Sequence, residues 1–82
     1  SLKDKLLCER VVLDKDGNEK VRLQLIREKD LITVSLTASH PCRLTFVNLK
    51  VSSELEVVYE ENHSIIVIDE PKQPQDFVVR II

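Results

Sequence analysis

Eighty-two residues, 43% of them hydrophobic and 32% charged, describe one globular domain and exclude a disordered chain. Twelve basic and fourteen acidic residues give a net charge of −2, and only three aromatics are present, which weighs against a binder of nucleic acid. No apolar run approaches the ~20 residues of a membrane helix, so membrane insertion is not expected.

The apolar residues are 11 Val, 7 Ile and 11 Leu with a single Ala. Val and Ile are stiff at χ1 and pack well on pleated surfaces, whereas helical domains use Ala freely. An all-β domain follows. Leu6–Leu13 is a first strand, apolar enough to be largely buried. Asp16-Gly17, with the only glycine, supplies the positive φ of a tight turn, so strands 1 and 2 pair antiparallel. In strand 2, Val21, Leu23 and Leu25 alternate with Lys20, Arg22 and Gln24, the period of a half-buried strand.

Glu28-Lys29-Asp30 is a polar turn, after which Ile32, Val34 and Leu36 alternate with Thr33, Ser35 and Thr37 in strand 3. Pro41 ends that segment. Strand 4, about Cys42–Val51, changes parity: Cys42, Leu44 and Phe46 share one set, Val47, Leu49 and Val51 the other. A bulge or sharp bend near Val47-Asn48 reconciles them and lets the chain cross between sheets.

Strand 5 sets Leu55, Val57 and Tyr59 against Glu54, Glu56, Val58 and Glu60, and Glu61–Ser64 makes a hairpin loop. Ile65–Ile68 is apolar throughout, as in a strand covered on both faces. Glu70–Gln75 reads as an extended, proline-marked connection. Asp76–Ile82 is a seventh strand with Phe77, Val79 and Ile81 inward; a helix capped by Asp76 is the alternative.

The expected fold is a small antiparallel six- or seven-stranded β-sandwich or partly open barrel. Its core is Val21, Leu23, Leu25, Ile32, Val34, Leu36, Leu44, Phe46, Val57, Tyr59, Ile66 and Ile68. The charged start is not a signal peptide, and Ile81-Ile82 would make a poor free terminus. Residues 1–82 therefore read as a single β domain excised from a longer protein, intracellular and cytoplasmic.

Chemistry-bearing residues are sparse. Cys8, His40, Cys42 and His63 could supply four zinc ligands, but structural zinc sites take ligands in close pairs, and no C-x-x-C or H-x-x-x-H is present. A Cys8–Cys42 disulfide requires the two strands to be neighbours. His40 and Cys42, two residues apart, imitate a Cys–His pair without a third orienting group. Asp14–Asn18 is too short for a calcium loop and suits a turn. No cofactor loop exists, and the chain is not expected to be an enzyme.

The charged strand faces are the candidate partner-binding residues: an acidic row of Glu54, Glu56 and Glu60, and a basic row of Lys20 and Arg22. Solvated faces explain them blandly; steering of a partner or pairing between copies explains them functionally. Strands 2, 3, 5 and 6 lack internal Gly and Pro, so their edges can accept another strand. The expected role is a non-catalytic protein–protein interaction or scaffold domain, with self-association included. A small-ligand or lipid-binding β module is the alternative, and it would need a cavity.

Lys29-Asp30-Leu31, Asn48-Leu49, Ser53-Glu54, Ile66-Val67-Ile68 and Pro74 with Phe77 form a pattern over roughly residues 29–82. It resembles the globular heads of centriole cartwheel scaffold proteins, although Cys42-Arg43 stands where those heads are aromatic after the proline. The resemblance implies a head-like oligomerisation domain of a centriolar scaffold and assigns no functional residue.

Overall fold

The structure is a computed structural model, and it describes residues 5–69 and 75–82. It is all-β. Among the described residues, eight strands run in chain order: β1 (Lys5–Leu13), β2 (Glu19–Glu28), β3 (Leu31–Ala38), β4 (Cys42–Phe46), β5 (Val51–Ser53), β6 (Val57–Glu60), β7 (His63–Ile68) and β8 (Gln75–Ile81). They form a five-stranded sheet in the order β1-β2-β3-β8-β5 and a three-stranded sheet in the order β4-β7-β6, with every pairing antiparallel. The expected connection over Glu70–Gln75 lies outside the described residues up to Gln75, where β8 begins.

The turns form where the residue chemistry asks for them. Gly17 takes φ +85° in the β1–β2 loop, and the Asp14 carboxylate accepts the backbone N–H groups of Asp16 at 2.8 Å and Asn18 at 3.0 Å. That carboxylate completes an Asx-type turn. Lys29 and Glu61 adopt positive φ, 57° and 55°, in the β2–β3 and β6–β7 turns.

Eight strands replace the expected six or seven because the chain from Cys42 to Val51 is divided. β4 ends at Phe46, Asn48 turns left-handed at φ 56°, and β5 begins at Val51 in the opposite sheet. The parity change thus marks a crossover between sheets rather than a bulge in one strand. The last segment is a strand: Phe77 and Val79 are buried and Ile81 is partly buried. β8 lies between β3 and β5, and the Ile81 and Ile82 N–H groups donate to Asp30 and Lys50 carbonyls at 2.7 and 2.9 Å.

The core lies between the sheets. Ile32, Val34, Leu36, Ala38, Val51, Phe77 and Val79 come from the larger sheet, and Phe46, Ile66 and Ile68 from the smaller. Each large apolar side chain so buried is worth roughly 1.5–3 kcal/mol. Val21, Leu23, Leu25, Leu44 and Val57 are partly buried around this cluster.

Two expectations fail. β1 is not buried: Leu7, Val12 and Leu13 are 62%, 50% and 56% exposed. It is the outermost strand of the larger sheet, so only β2 shields it. Tyr59 is not a core residue either. It is exposed, and its hydroxyl donates to the Val51 carbonyl at 2.5 Å while the Lys50 ammonium lies 4.8 Å from its ring centroid. β7, by contrast, is the middle strand of its sheet, and Ile65 and Ile66 are buried although they point to opposite faces.

Candidate interaction surface

An edge strand presents unpaired N–H and C=O groups, and long apolar edges are templates for another chain. The larger sheet has two unequal edges. β5 has three residues, whereas β1 has nine, KLLCERVVL, with no Pro or Gly. Its register shifts between Val12 and Leu13, at its end.

Register fixes which β1 side chains share a face. Cys8, Arg10 and Val12 pair with Leu25, Leu23 and Val21, the partly buried residues of β2, so they lie on the side of the other sheet. Leu7, Glu9 and Val11 lie on the outward face beside Ile26, Gln24 and Arg22. Beyond Lys5 at its start, the strand's charges are at its centre: the Arg10 guanidinium donates to the Glu9 carbonyl at 2.7 Å, and the Glu9 carboxylate accepts the Gln24 amide at 3.1 Å.

The basic row is less available than its sequence suggests. Arg22 donates to Glu19 through Nε at 3.0 Å and through a second, shorter contact from its terminal nitrogen. The hydrogen bond and attraction of Arg22 hold the Glu19 carboxyl below its ordinary range, and Glu19 raises Arg22 in turn. Lys20 borders an open depression of about 640 Å³ with Val12, Leu13, Ser39, His40 and Pro41.

The acidic residues do not form one row. Glu54 follows β5 and borders a depression with Ser52, Ser53, Val78 and Arg80. Glu56 precedes β6, and its carbonyl accepts the Val67 N–H at 3.2 Å. Glu60, on β6, faces His63 across the ladder. All three remain exposed.

Cys8 and Cys42 are free thiols, on the edge of the larger sheet and in the smaller sheet respectively. Burial raises the Cys42 thiol above its ordinary range. His40 hydrogen-bonds Ser39 at 2.7 Å and borders a different depression from Cys42. His63 Nδ1 accepts the Asn48 N–H at 3.0 Å, a structural role at the crossover. Among the described residues, no group of three or more His, Cys, Asp or Glu is gathered closely enough to hold a metal ion.

No family model, curated protein or solved structure matches the chain. The likeness to the cartwheel heads therefore rests on its short motifs alone.

Proposed function

We propose that this domain is a non-catalytic protein-interaction module that receives a partner strand along β1. The supporting observation is the exposure of apolar side chains along a nine-residue edge strand: Leu7 and Val11 on one face, Val12 on the other, and Leu13 at the end. Added strands gain affinity from main-chain hydrogen bonds and specificity from alternate side chains. The exposed Glu54, Glu56 and Glu60 lie elsewhere on the surface, Lys20 borders Val12 and Leu13 of β1, and all four act, in this reading, on orientation and encounter rate. Small-ligand binding has less support, because Val34, Val51, Ile66 and Val79 are fully buried in a filled core.

The test is affinity capture from lysate, comparing the parent with Val12→Lys, joined to amide hydrogen exchange on the captured complex. Val12 is half exposed, so the variant should fold with a stability change of only about 0.5 kcal/mol. The expected result is loss of bound protein in the variant and slowed exchange in β1 of the parent. Equal capture by both, with β1 exchange unchanged, refutes the reading.

A further inference from the structure

The outward face of the five-stranded sheet carries an apolar row assembled from four strands. Leu7 pairs with Ile26, Ile26 with Thr33, and Thr33 with Val78. Leu7, Ile26 and Val78 are 62%, 37% and 44% exposed, and Thr33 is exposed too. Neighbouring strands lie about 4.8 Å apart, so the row runs roughly 14 Å across the sheet.

The rows flanking it differ in charge. On one side Glu9, Gln24, Ser35 and Asp76 stand in register; on the other Lys5, Glu28, Leu31 and Arg80 do. Asp76 and Arg80 thus sit on opposite sides of Val78 on one strand, and both are exposed. Arg80 reaches Asp30 at 3.3 Å, a pair with both side chains 61% exposed, so the guanidinium stays open to a second carboxylate.

We propose that two copies of this domain stack these outward faces about a two-fold axis running along the Leu7–Ile26–Thr33–Val78 row. The inference rests on the reading of the domain as an interaction module and names a second copy as a partner. Such an axis keeps each strand over its counterpart and reverses its direction. The apolar row then meets itself, and the flanking rows exchange: Asp76 faces Arg80 of the second copy, and Arg80 faces its Asp76. The other simple axis, along the strands, lays β1 over β8 and sets Glu9 against Asp76, carboxylate on carboxylate. Charge therefore selects the first arrangement, which is closed and self-complementary.

Stacked sheets lie about 10 Å apart and rotate by roughly 30°, which shifts the paired charges by a few Å and leaves them near the ~8 Å Debye length. Four strands by three rows cover roughly 19 × 20 Å, so the contact buries on the order of 800 Å² in total, below the ~1,200 Å² at which standard interfaces begin. The dimer is accordingly weak and exchanges quickly.

The experiment is sedimentation equilibrium of the whole chain from about 10 μM to about 1 mM, at low and high salt, where a weak dimer is populated. The variants are Ile26→Glu, Asp76→Arg, and Asp76→Arg combined with Arg80→Asp, with Val12→Lys marking the β1 edge. Expected are a salt-weakened dimer in the parent, at least a roughly tenfold weaker one in Ile26→Glu and Asp76→Arg, and recovery to within about threefold in the charge swap. Amide shifts of the parent on dilution supply a second readout that needs no variant: changes on β1, β2, β3 and β8 support the stacked face, and changes confined to β4, β6 and β7 overturn it. A parent that stays monomeric overturns the dimer, as does loss of dimer in Val12→Lys alone. Because the lysate capture is scored separately, either failure leaves the interaction-module reading to its own result.

Discussion

The Ser64 hydroxyl accepts the Val51 N–H at 3.0 Å, and that one contact ties the middle strand of the smaller sheet to the first residue of β5 in the larger. Ser64 also donates to the Leu49 carbonyl at 2.7 Å, and it is fully buried. Together with His63 at Asn48 and Tyr59 at Val51, it fastens the crossover segment by polar bonds. A segment leaving one sheet for another has lost its ladder partners, and buried backbone groups must find others.

Replacing Ser64 with Ala strips a buried N–H and a part-buried carbonyl of their partner. An unsatisfied buried group costs about 1–3 kcal/mol, so Ser64→Ala should lower the unfolding free energy by about 2 kcal/mol. Urea denaturation measures this directly. A change under about 0.5 kcal/mol, the level of an ordinary surface substitution, would mean that the crossover holds without the hydroxyl.

Tyr59→Phe separates the hydroxyl from the ring. The bond to the Val51 carbonyl is lost, while the ring beneath the Lys50 ammonium is kept. The expected cost is about 1 kcal/mol, or a fall of roughly 4–8 °C in Tm for a domain of this size. Differential scanning calorimetry should also show Tyr59→Ala falling further; equal Tm values for parent and Tyr59→Phe would assign the hydroxyl no part in stability.

Position in the sheet, not residue type, governs the cost of truncation. Ile66 is fully buried, so Ile66→Ala should cost about 2–5 kcal/mol through lost transfer energy and the cavity left behind. Leu7 is 62% exposed, and Leu7→Ala should stay within about 0.5 kcal/mol. Chemical denaturation of the two variants side by side decides the matter, and similar losses would place β1 in the core after all.

Cys42 gives a pH signature. Burial disfavours its thiolate, so its folded pKa is raised above the ordinary value of 9.0. The stabilisation is fully present below the unfolded thiol's range and is lost as pH rises through the folded value. Stability should therefore decline as pH rises past the thiol's ordinary value of 9.0, and that decline should be smaller in Cys42→Ser. Denaturation midpoints from pH 7 upward test the sign, which a decline of equal size in Cys42→Ser would contradict.

The alternation of β2 and β3 was legible because each has one buried face, and Val21, Leu23 and Leu25 against Lys20, Arg22 and Gln24 record it directly. The parity change at Val47-Asn48 likewise announced a change of sheet. β1 was misread for a reason its own residues cannot reveal. Apolar content looks alike in a central strand and in an exposed edge strand, and strand order is set by pairings elsewhere. Tyr59 kept the parity of a core position, but the end of the short β6 leaves it beside the crossover. The acidic row dissolved because Glu54 and Glu56 precede β6 rather than alternate along it. The Leu7–Ile26–Thr33–Val78 row was invisible, since it exists only once three ladders have set their registers.

The place of β8 between β3 and β5 sets a timetable for biosynthesis. Val34 waits for Phe77, forty-three positions later in the chain, before its ladder partner exists. At about 5–20 residues per second, a ribosome needs roughly 2–9 s to pass from the end of β3 to the end of β8. Through that interval the nascent chain can close its hairpins but not its larger sheet, and the edge of β3 that β8 will occupy stays unpaired. A translating complex stalled before residue 75 should therefore be sticky and protease-sensitive, and release of one more strand should convert it to the closed domain in a single step.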